Sequence, residues 1–376
     1  MNPPSVLIVA GEKSGENYGA AAVRAFRALN PEAKFFGVGG TNMIAAGVEV
    51  LVPMEDLAVM GLAEIIGDIP RIRRILRRLV AEARVRRPAA AVLIDSPDFN
   101  LRLARRLKKI GVPVLYYISP TVWAWRKRRL KTIRSVVRKM LLIFPFEREI
   151  YARAGIPHRY VGHPLLERLQ VRFSREEFVR KYGLDPARPV ITLMPGSRKN
   201  EIIRHIAVLR DAATRLKEER GAQFVLLQAG DLDPDFLPRL LSGTEADIRL
   251  LTTDAYEAVA SSDLVLSACG TANLEAALLG TPLIAFYKIS PLTYAVGRPF
   301  VRIKDYSIVN ILAGRRIVPE LIQRRMTAGA LVRETGRILD DADARREMMT
   351  VFARIRSELG TERASENAAR ELAALL

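Results

Sequence analysis

The sequence predicts an α/β protein of two doubly wound domains, and three observations carry that reading. Short apolar runs recur along the chain, each followed by a stretch with helical 3.6-residue spacing. Several of these runs end in glycine turns that open directly into a helix, as at Pro195-Gly196-Ser197. At 376 residues the chain is also too long for one ordinary core. The expected division is 1–165, 166–345 and a terminal helical segment 346–376.

The first half opens on Val6–Val9, a continuous apolar run suited to a strand buried on both faces. It runs into Gly11-Glu12-Lys13-Ser14-Gly15-Glu16 and a helix whose apolar positions are read as Ala21, Ala25 and Leu29. This is not a P-loop: Glu12 stands where the glycine directly before Lys13 belongs. The loop still ends a strand, where open parallel sheets bind ligands, so Glu12 and Ser14 are candidate binding residues. Phe35–Val38 and Val48–Val52 follow as strands. Leu57–Gly67 is strongly apolar, and Pro70–Arg87 reads as a helix begun by proline. Its apolar face is Ile72, Ile75, Leu76, Leu79, Val80 and Ala83; arginines, Arg73 and Arg77 among them, fill the rest. That pattern suits a solvated surface helix or one meeting an anionic lipid interface together with Leu57–Gly67.

Ala89–Ile94 is the next buried strand, and it ends in Asp95-Ser96-Pro97-Asp98-Phe99-Asn100. A partly desolvated carboxylate there can act as general base on a hydroxyl. Asp98 is the better placed to cap the following helix, which leaves Asp95 for chemistry. Val114–Ile118 leads to Ser119-Pro120-Thr121-Val122-Trp123-Ala124-Trp125-Arg126, which holds both tryptophans. Met140–Phe144, a helix near Phe146–Ala154 and Tyr160–Pro164 complete this half.

From about Leu166 the charges become mixed and a second strand series begins: Val190–Met194, Phe224–Gln228, Ile248–Leu251, Leu264–Ser267 and Leu283–Phe286. After the first of these, Gly196, Ser197 and Arg198 form a turn that aims backbone N–H groups and a guanidinium at an anion. After the fourth, Gly270 and Thr271 open a helix whose positive end suits a diphosphate. Glu275, one turn further, is placed to accept hydrogen bonds from ribose hydroxyls.

Composition narrows the class. Lone Cys269 excludes a disulfide framework, and the three histidines are too scattered to form a metal-ligand set, so neither metal nor cofactor is expected. No apolar run reaches the ~18–20 residues of a membrane span, and the N-terminus lacks a secretory pattern; a cytoplasmic location follows as an expectation. The net charge of +18 lies almost wholly in residues 1–165, which suggests a polyanionic surface as partner.

Taken together, Gly11–Gly15, Ala58-Val59-Met60-Gly61, Asp95–Asn100, Ser119–Arg126, Pro195–Arg198, Gly270–Glu275 and Asn310-Ile311-Leu312-Ala313-Gly314 resemble the lipid-A-disaccharide synthase family over nearly the whole chain. The resemblance implies two Rossmann-like domains facing a cleft, the GT-B architecture, with the terminal helix packed back on the first. It implies inverting transfer of 2,3-diacylglucosamine from UDP to 2,3-diacylglucosamine 1-phosphate, giving the β-1,6 disaccharide of lipid A biosynthesis. Asp95 would be the base and Arg198 would assist departure of UDP. Gly196, Ser197, Gly270, Thr271, Glu275 and Asn310 would line the donor site; Glu12, Ser14 and Asp98 would flank the acceptor. Met60, Ile65, Ile66, Ile69, Arg73 and Arg77 would meet acyl chains and an anionic inner-membrane surface. Nucleic acid is not expected as a partner, and a homodimer is left open. Where the family usually has Asp, Glu16 stands here, and Cys269 replaces a common Ser. The rival readings are a peptidoglycan glucosaminyltransferase, a UDP-sugar epimerase and a non-enzymatic basic module.

Overall fold

A computed structural model describes residues 3–57, 62–124, 126–229, 232–291, 294–295 and 304–376, with 62–68 as backbone only. The chain forms two compact units. One runs to Glu167 and takes up the chain again from Leu359 to Leu376; the other comprises the described residues between Arg168 and Glu358.

The first unit is built on seven parallel strands: β1 (Ser5–Ala10), β2 (Lys34–Gly39), β3 (Val48–Pro53), β4 (Ala90–Ile94), β5 (Val114–Tyr117), β6 (Lys139–Leu142) and β7 (His158–Tyr160). Their order is β3-β2-β1-β4-β5-β6-β7, so the winding reverses between β1 and β4. Loops leaving the carboxyl ends of those two strands border the crevice such folds use for ligands. The strands read as unbroken apolar runs because both faces are covered. Leu7 and Val9 of β1 enter one core, while Val6, Ile8 and Ala10 enter the other.

Helices α1 (Lys13–Leu29), α2 (Thr41–Ala45), α3 (Leu62–Arg86), α4 (Pro97–Lys109), α5 (Arg129–Val136) and α6 (Glu147–Arg153) connect these strands. The buried face of α1 is Tyr18, Ala22, Val23 and Phe26, not the expected one: Ala21 and Ala25 are half-buried and Leu29 is exposed. Glu16, fully buried, accepts from the N–H groups of Asn42 (2.6 Å) and Met43 (3.3 Å) and so satisfies the first turn of α2. Its role is structural. The expected start of α3 at Pro70 is also corrected, because the helix begins at Leu62 and carries Pro70 inside it. The predicted apolar face holds, with Ile75, Leu76, Leu79 and Ala83 buried and Ile72 and Val80 packed at its margin.

In the second unit the strands are β8 (Val190–Met194), β9 (Gln223–Leu227), β10 (Ile248–Leu251), β11 (Leu264–Ala268), β12 (Leu283–Tyr287) and β13 (Glu320–Ile322), ordered β10-β9-β8-β11-β12-β13. This repeats the first unit's plan, with β8 and β11 at the reversal. The helices are α7 (Arg175–Lys181), α8 (Lys199–Arg220), α9 (Phe236–Leu241), α10 (Ala255–Ala260), α11 (Thr271–Leu278), α12 (Ile308–Ala313), α13 (Ala328–Asp340) and α14 (Ala342–Glu358). Ser174 and Glu177 form a reciprocal capping box at the start of α7.

The last helix, α15 (Ala364–Ala373), belongs to the first unit and packs on α1, burying Ala368, Ala369 and Leu372 in that unit's core. Lys139 pairs with its Glu371 (2.6 Å), and Glu167 accepts from the Ser365 N–H (2.8 Å). Among the described residues no helix is long and apolar enough to cross a membrane.

Candidate active site

Two loop clusters collect the candidate residues, one on each unit. In the first, β4 ends and the chain passes through Asp95 and Ser96, both left-handed with φ of +46° and +42°. Non-glycine residues held this way store roughly 1–3 kcal/mol each, and surrounding contacts must impose the conformation. Here the Asp95 N–H donates to the Tyr117 carbonyl (3.0 Å). Its own carbonyl accepts from Asn100 Nδ2 (2.9 Å) and the Tyr116 hydroxyl (2.5 Å). The β1 loop passes so close that a Cβ on Gly11 would lie 2.5 Å from Ser96 Oγ, so a larger residue there would force the Ser96 side chain to move.

Burial pushes the Asp95 carboxyl up to about 7, with the Glu12 charge adding to the shift and the Ser96 N–H and Arg129 opposing it. A carboxyl tuned there divides its time between acid and base at neutral pH, as proton abstraction from a hydroxyl requires. Glu12 and Ser14 are exposed at the start of α1. Asp98 does not cap α4, whose cap position is Ser96 with no side-chain bond. Instead it stands exposed and pairs with Arg126 (2.9 Å) and Arg129 (2.6 Å). Trp123 packs edge-on to Phe146 at 5.5 Å; Trp125 lies outside the described residues. So does Met60, as do the side chains of Ile65 and Ile66. On the described part of α3, Ile69 is half-buried while Arg73 and Arg77 are exposed.

In the second cluster, β8 ends in Pro195-Gly196-Ser197 and α8 begins after Arg198. Gly196 has φ +122°, and a Cβ there would lie 3.0 Å from Glu201 Oε2. The turn is fixed from below by His205, fully buried on α8. Its ring bonds the Pro195 carbonyl (2.7 Å), while its other nitrogen accepts from the Lys288 N–H (3.0 Å). Burial lowers its pKa, and the neutral ring with the proton on Nδ1 satisfies both contacts. Arg198 is about half exposed and reaches Glu201 (3.2 Å), which accepts from the Tyr287 hydroxyl (2.8 Å). Sequence reasoning missed His205, Glu201 and Tyr287. A polar residue among Ile202, Ile206 and Leu209 was the available signal for His205.

β11 leads through Cys269 and Gly270 into α11. The Cys269 N–H donates to the Phe286 carbonyl (2.8 Å) and is therefore engaged, whereas the first N–H groups of a helix such as α11 have no intrahelical acceptor. Burial pushes the Cys269 thiol well up, which keeps it protonated. Asn273, fully buried, donates to Ser267 Oγ (2.9 Å) and the Ala268 carbonyl (3.1 Å). Thr271 is exposed, and Glu275 is half-buried with its pKa raised by burial, against the pull of Arg168.

Asn310 needs a correction as a ligand-contacting residue. Its Nδ2 donates to the Val318 carbonyl (2.9 Å) and Glu320 (2.8 Å), while its Oδ1 accepts from the N–H groups of Ile317 and Val318 (2.8 Å each). The amide is fully engaged, so Asn310 acts by organising its loop. Buried Glu320 completes that loop by accepting from the N–H groups of Tyr306 and Ser307 (2.9 Å each).

Among known proteins, the family described as lipid-A-disaccharide synthetase matches residues 6–375. The chain is 44% identical over 369 residues to a lipid-A-disaccharide synthase of Anaeromyxobacter dehalogenans (strain 2CP-C), covering 98% of this chain and 96% of that one. With the synthase of Myxococcus xanthus (strain DK1622) the identity is 42% over 376 residues, covering 100% and 98%. Among solved structures, the fold is similar to the calicheamicin glycosyltransferase CalG4, at TM-score 0.64, 14% identity and 100% and 99% coverage. It is also similar to a UDP-GlcNAc 2-epimerase from Neisseria meningitidis bound to UDP-GlcNAc, at TM-score 0.62, 12% identity and 98% coverage of both. These likenesses place the fold in the two-domain glycosyltransferase class.

Proposed function

We propose, from the premise that this chain belongs to the lipid-A-disaccharide synthetase family, that it transfers 2,3-diacylglucosamine from UDP to the 6-hydroxyl of 2,3-diacylglucosamine 1-phosphate. The products are the β-1,6-linked disaccharide 1-phosphate and UDP. The observation that carries the chemistry is Asp95, a carboxyl tuned to about 7 on a strained and firmly held strand end. As the acceptor oxygen bonds to the anomeric carbon, its proton passes to Asp95 and the bond from that carbon to the UDP oxygen breaks, with inversion. The first unit takes the acceptor. The second takes the donor, its diphosphate at Arg198 and the first turn of α11, its ribose at Glu275.

The test is direct. Purified protein incubated with both diacylglucosamine substrates is expected to yield the disaccharide 1-phosphate and UDP by mass spectrometry. Failure to form the disaccharide while UDP is released would favour a hydrolase or epimerase reading. Tight UDP binding without affinity for DNA would separate the enzyme from a basic nucleic-acid module.

Both substrates are amphiphiles, so the protein is proposed to work at an anionic membrane surface, with Arg73 and Arg77 of α3 meeting headgroups. Each arginine near such a surface is worth about 1 kcal/mol. Changing both to Glu is expected to weaken sedimentation with phosphatidylglycerol vesicles at least tenfold while sparing turnover of detergent-dispersed substrate. Undiminished vesicle binding would remove α3 from the membrane face.

A further inference from the structure

The second unit carries a groove of about 700 Å³ that none of the candidate donor residues lines. One wall is the chain from Arg316 through β13 to Leu321. The other is α13 with its cap: Thr327, Ala330, Arg333, Glu334 and Arg337 share one helical face. At 1.5 Å per helical residue that face runs about 15 Å. Arg324 and Arg325 join the lining from the turn between β13 and α13.

Contacts within the unit hold this frame. Asn310 bonds the Ile317 and Val318 N–H groups and the Val318 carbonyl. Gln323, left-handed with φ +56°, accepts from the Ile289 N–H at Oε1 (3.3 Å). Its carbonyl accepts from the N–H of buried Met326 (3.1 Å). Thr327 caps α13 by accepting from the Ala330 N–H (3.2 Å). The arginines therefore stand on set backbone.

The acids nearby are already engaged. Glu320 accepts from the Tyr306 and Ser307 N–H groups (2.9 Å each). Glu334 pairs with Arg337 (3.0 Å), and Asp305 with Arg316 (2.8 Å). Arg324, Arg325 and Arg333 are exposed, and none has a carboxylate partner among the described residues. Residues 166–376 hold 31 Lys/Arg against 28 Asp/Glu, so the excess is local on a nearly balanced stretch. A local excess suits a compact anion, whereas attraction to a bilayer adds up over a broad basic face. The lining also offers no aromatic ring on which a base could stack.

We propose that this groove is an anion site separate from the donor cluster, taking a compact, soluble di- or triphosphate. Arg324, Arg325 and Arg333 hold its oxygens through their guanidinium forks. The site does not depend on the glycosyl-transfer reading.

Tripolyphosphate is the probe, titrated calorimetrically into the full chain at low salt. Arg324→Gln, Arg325→Gln and Arg333→Gln combined are expected to weaken one binding event by about tenfold or more. Arg239→Gln, Arg346→Gln and Arg363→Gln combined remove equal charge from exposed pairs outside the groove, and should change it less than about twofold. Arg333→Lys should cost part of the affinity, because an ammonium lacks the planar fork. Arg198→Ala should leave this event unmoved, which separates the groove from the proposed diphosphate site. Should the triple variant not fold, Arg324→Gln alone, on an exposed turn, is expected to weaken binding about threefold. Sedimentation with phosphatidylglycerol vesicles should be the same for the groove variant and the unaltered chain. Absence of binding, or equal losses in the groove and control variants, overturns the proposal. So does a fall in vesicle binding with tripolyphosphate binding intact, which would make the occupant a lipid headgroup.

Discussion

Replacing Asp95 with Asn is expected to reduce kcat by about 10²–10⁴ while leaving the donor KM within threefold, because the amide keeps the shape but cannot take a proton. The unaltered enzyme should gain activity with rising pH along a limb centred near 7, where the carboxyl ionises, and the variant should lack that limb. The sign for stability is opposite. A carboxyl whose folded-state pKa is raised favours the fold while protonated, so stability declines as pH climbs from the ordinary Asp value of 3.8 toward about 7. The slope from this group approaches 1.4 kcal/mol per pH unit within that window. At pH 8 the Asn variant should therefore melt at a higher temperature than the enzyme it disables. Near-normal turnover would exclude Asp95 as the base; a lowered melting temperature would mean that the carboxylate supports the fold.

The second large effect is expected at Arg198. Its change to Ala should raise the donor KM and lower kcat by about 10²–10³, the loss of ~3–4 kcal/mol typical when one preorganised donor to a developing charge is removed. Arg198→Lys should recover only part, since an ammonium cannot offer the planar fork. The guanidinium is steered by Glu201, itself held by the Tyr287 hydroxyl, so Tyr287→Phe should produce a smaller defect of the same kind. Initial rates across donor concentrations check all three. An unchanged rate at every concentration for Arg198→Ala would end its assignment to the diphosphate.

Most strands were legible because a parallel sheet covered on both faces writes each as an unbroken apolar word. β13 escaped, being only Glu320–Ile322 at the sheet's edge. Helix faces were legible only where composition contrasts. Arginine against isoleucine and leucine marked α3 correctly, whereas α1 is rich in alanine and glycine and is packed by both the sheet and α15. Pro70 misled because proline favours a first turn, yet the helix had begun eight residues earlier. Asp95 and Arg198 do lie just past the ends of β4 and β8, where the apolar runs put them. Their supports were not legible: Asn100, His205 and Asn310 act through contacts with segments that only folding brings near. Asp98 shows the limit of local rules, since its expected capping role gave way to two arginines some thirty residues on.

One construction recurs in both units. The residue just past the fourth strand of each winding, Asp95 or Cys269, donates its N–H to the next strand, and an asparagine from the following helix clasps the strand's final carbonyl. In each, the buried Oδ1 of that asparagine has no partner among the described residues, so the clasp shown there acts through its two donors. The freedom of these loops was thus surrendered when the chain folded. On the proposed function, an incoming substrate would meet a finished floor under both the acid and the α11 turn, and the entropy of shaping it would not weigh against affinity a second time.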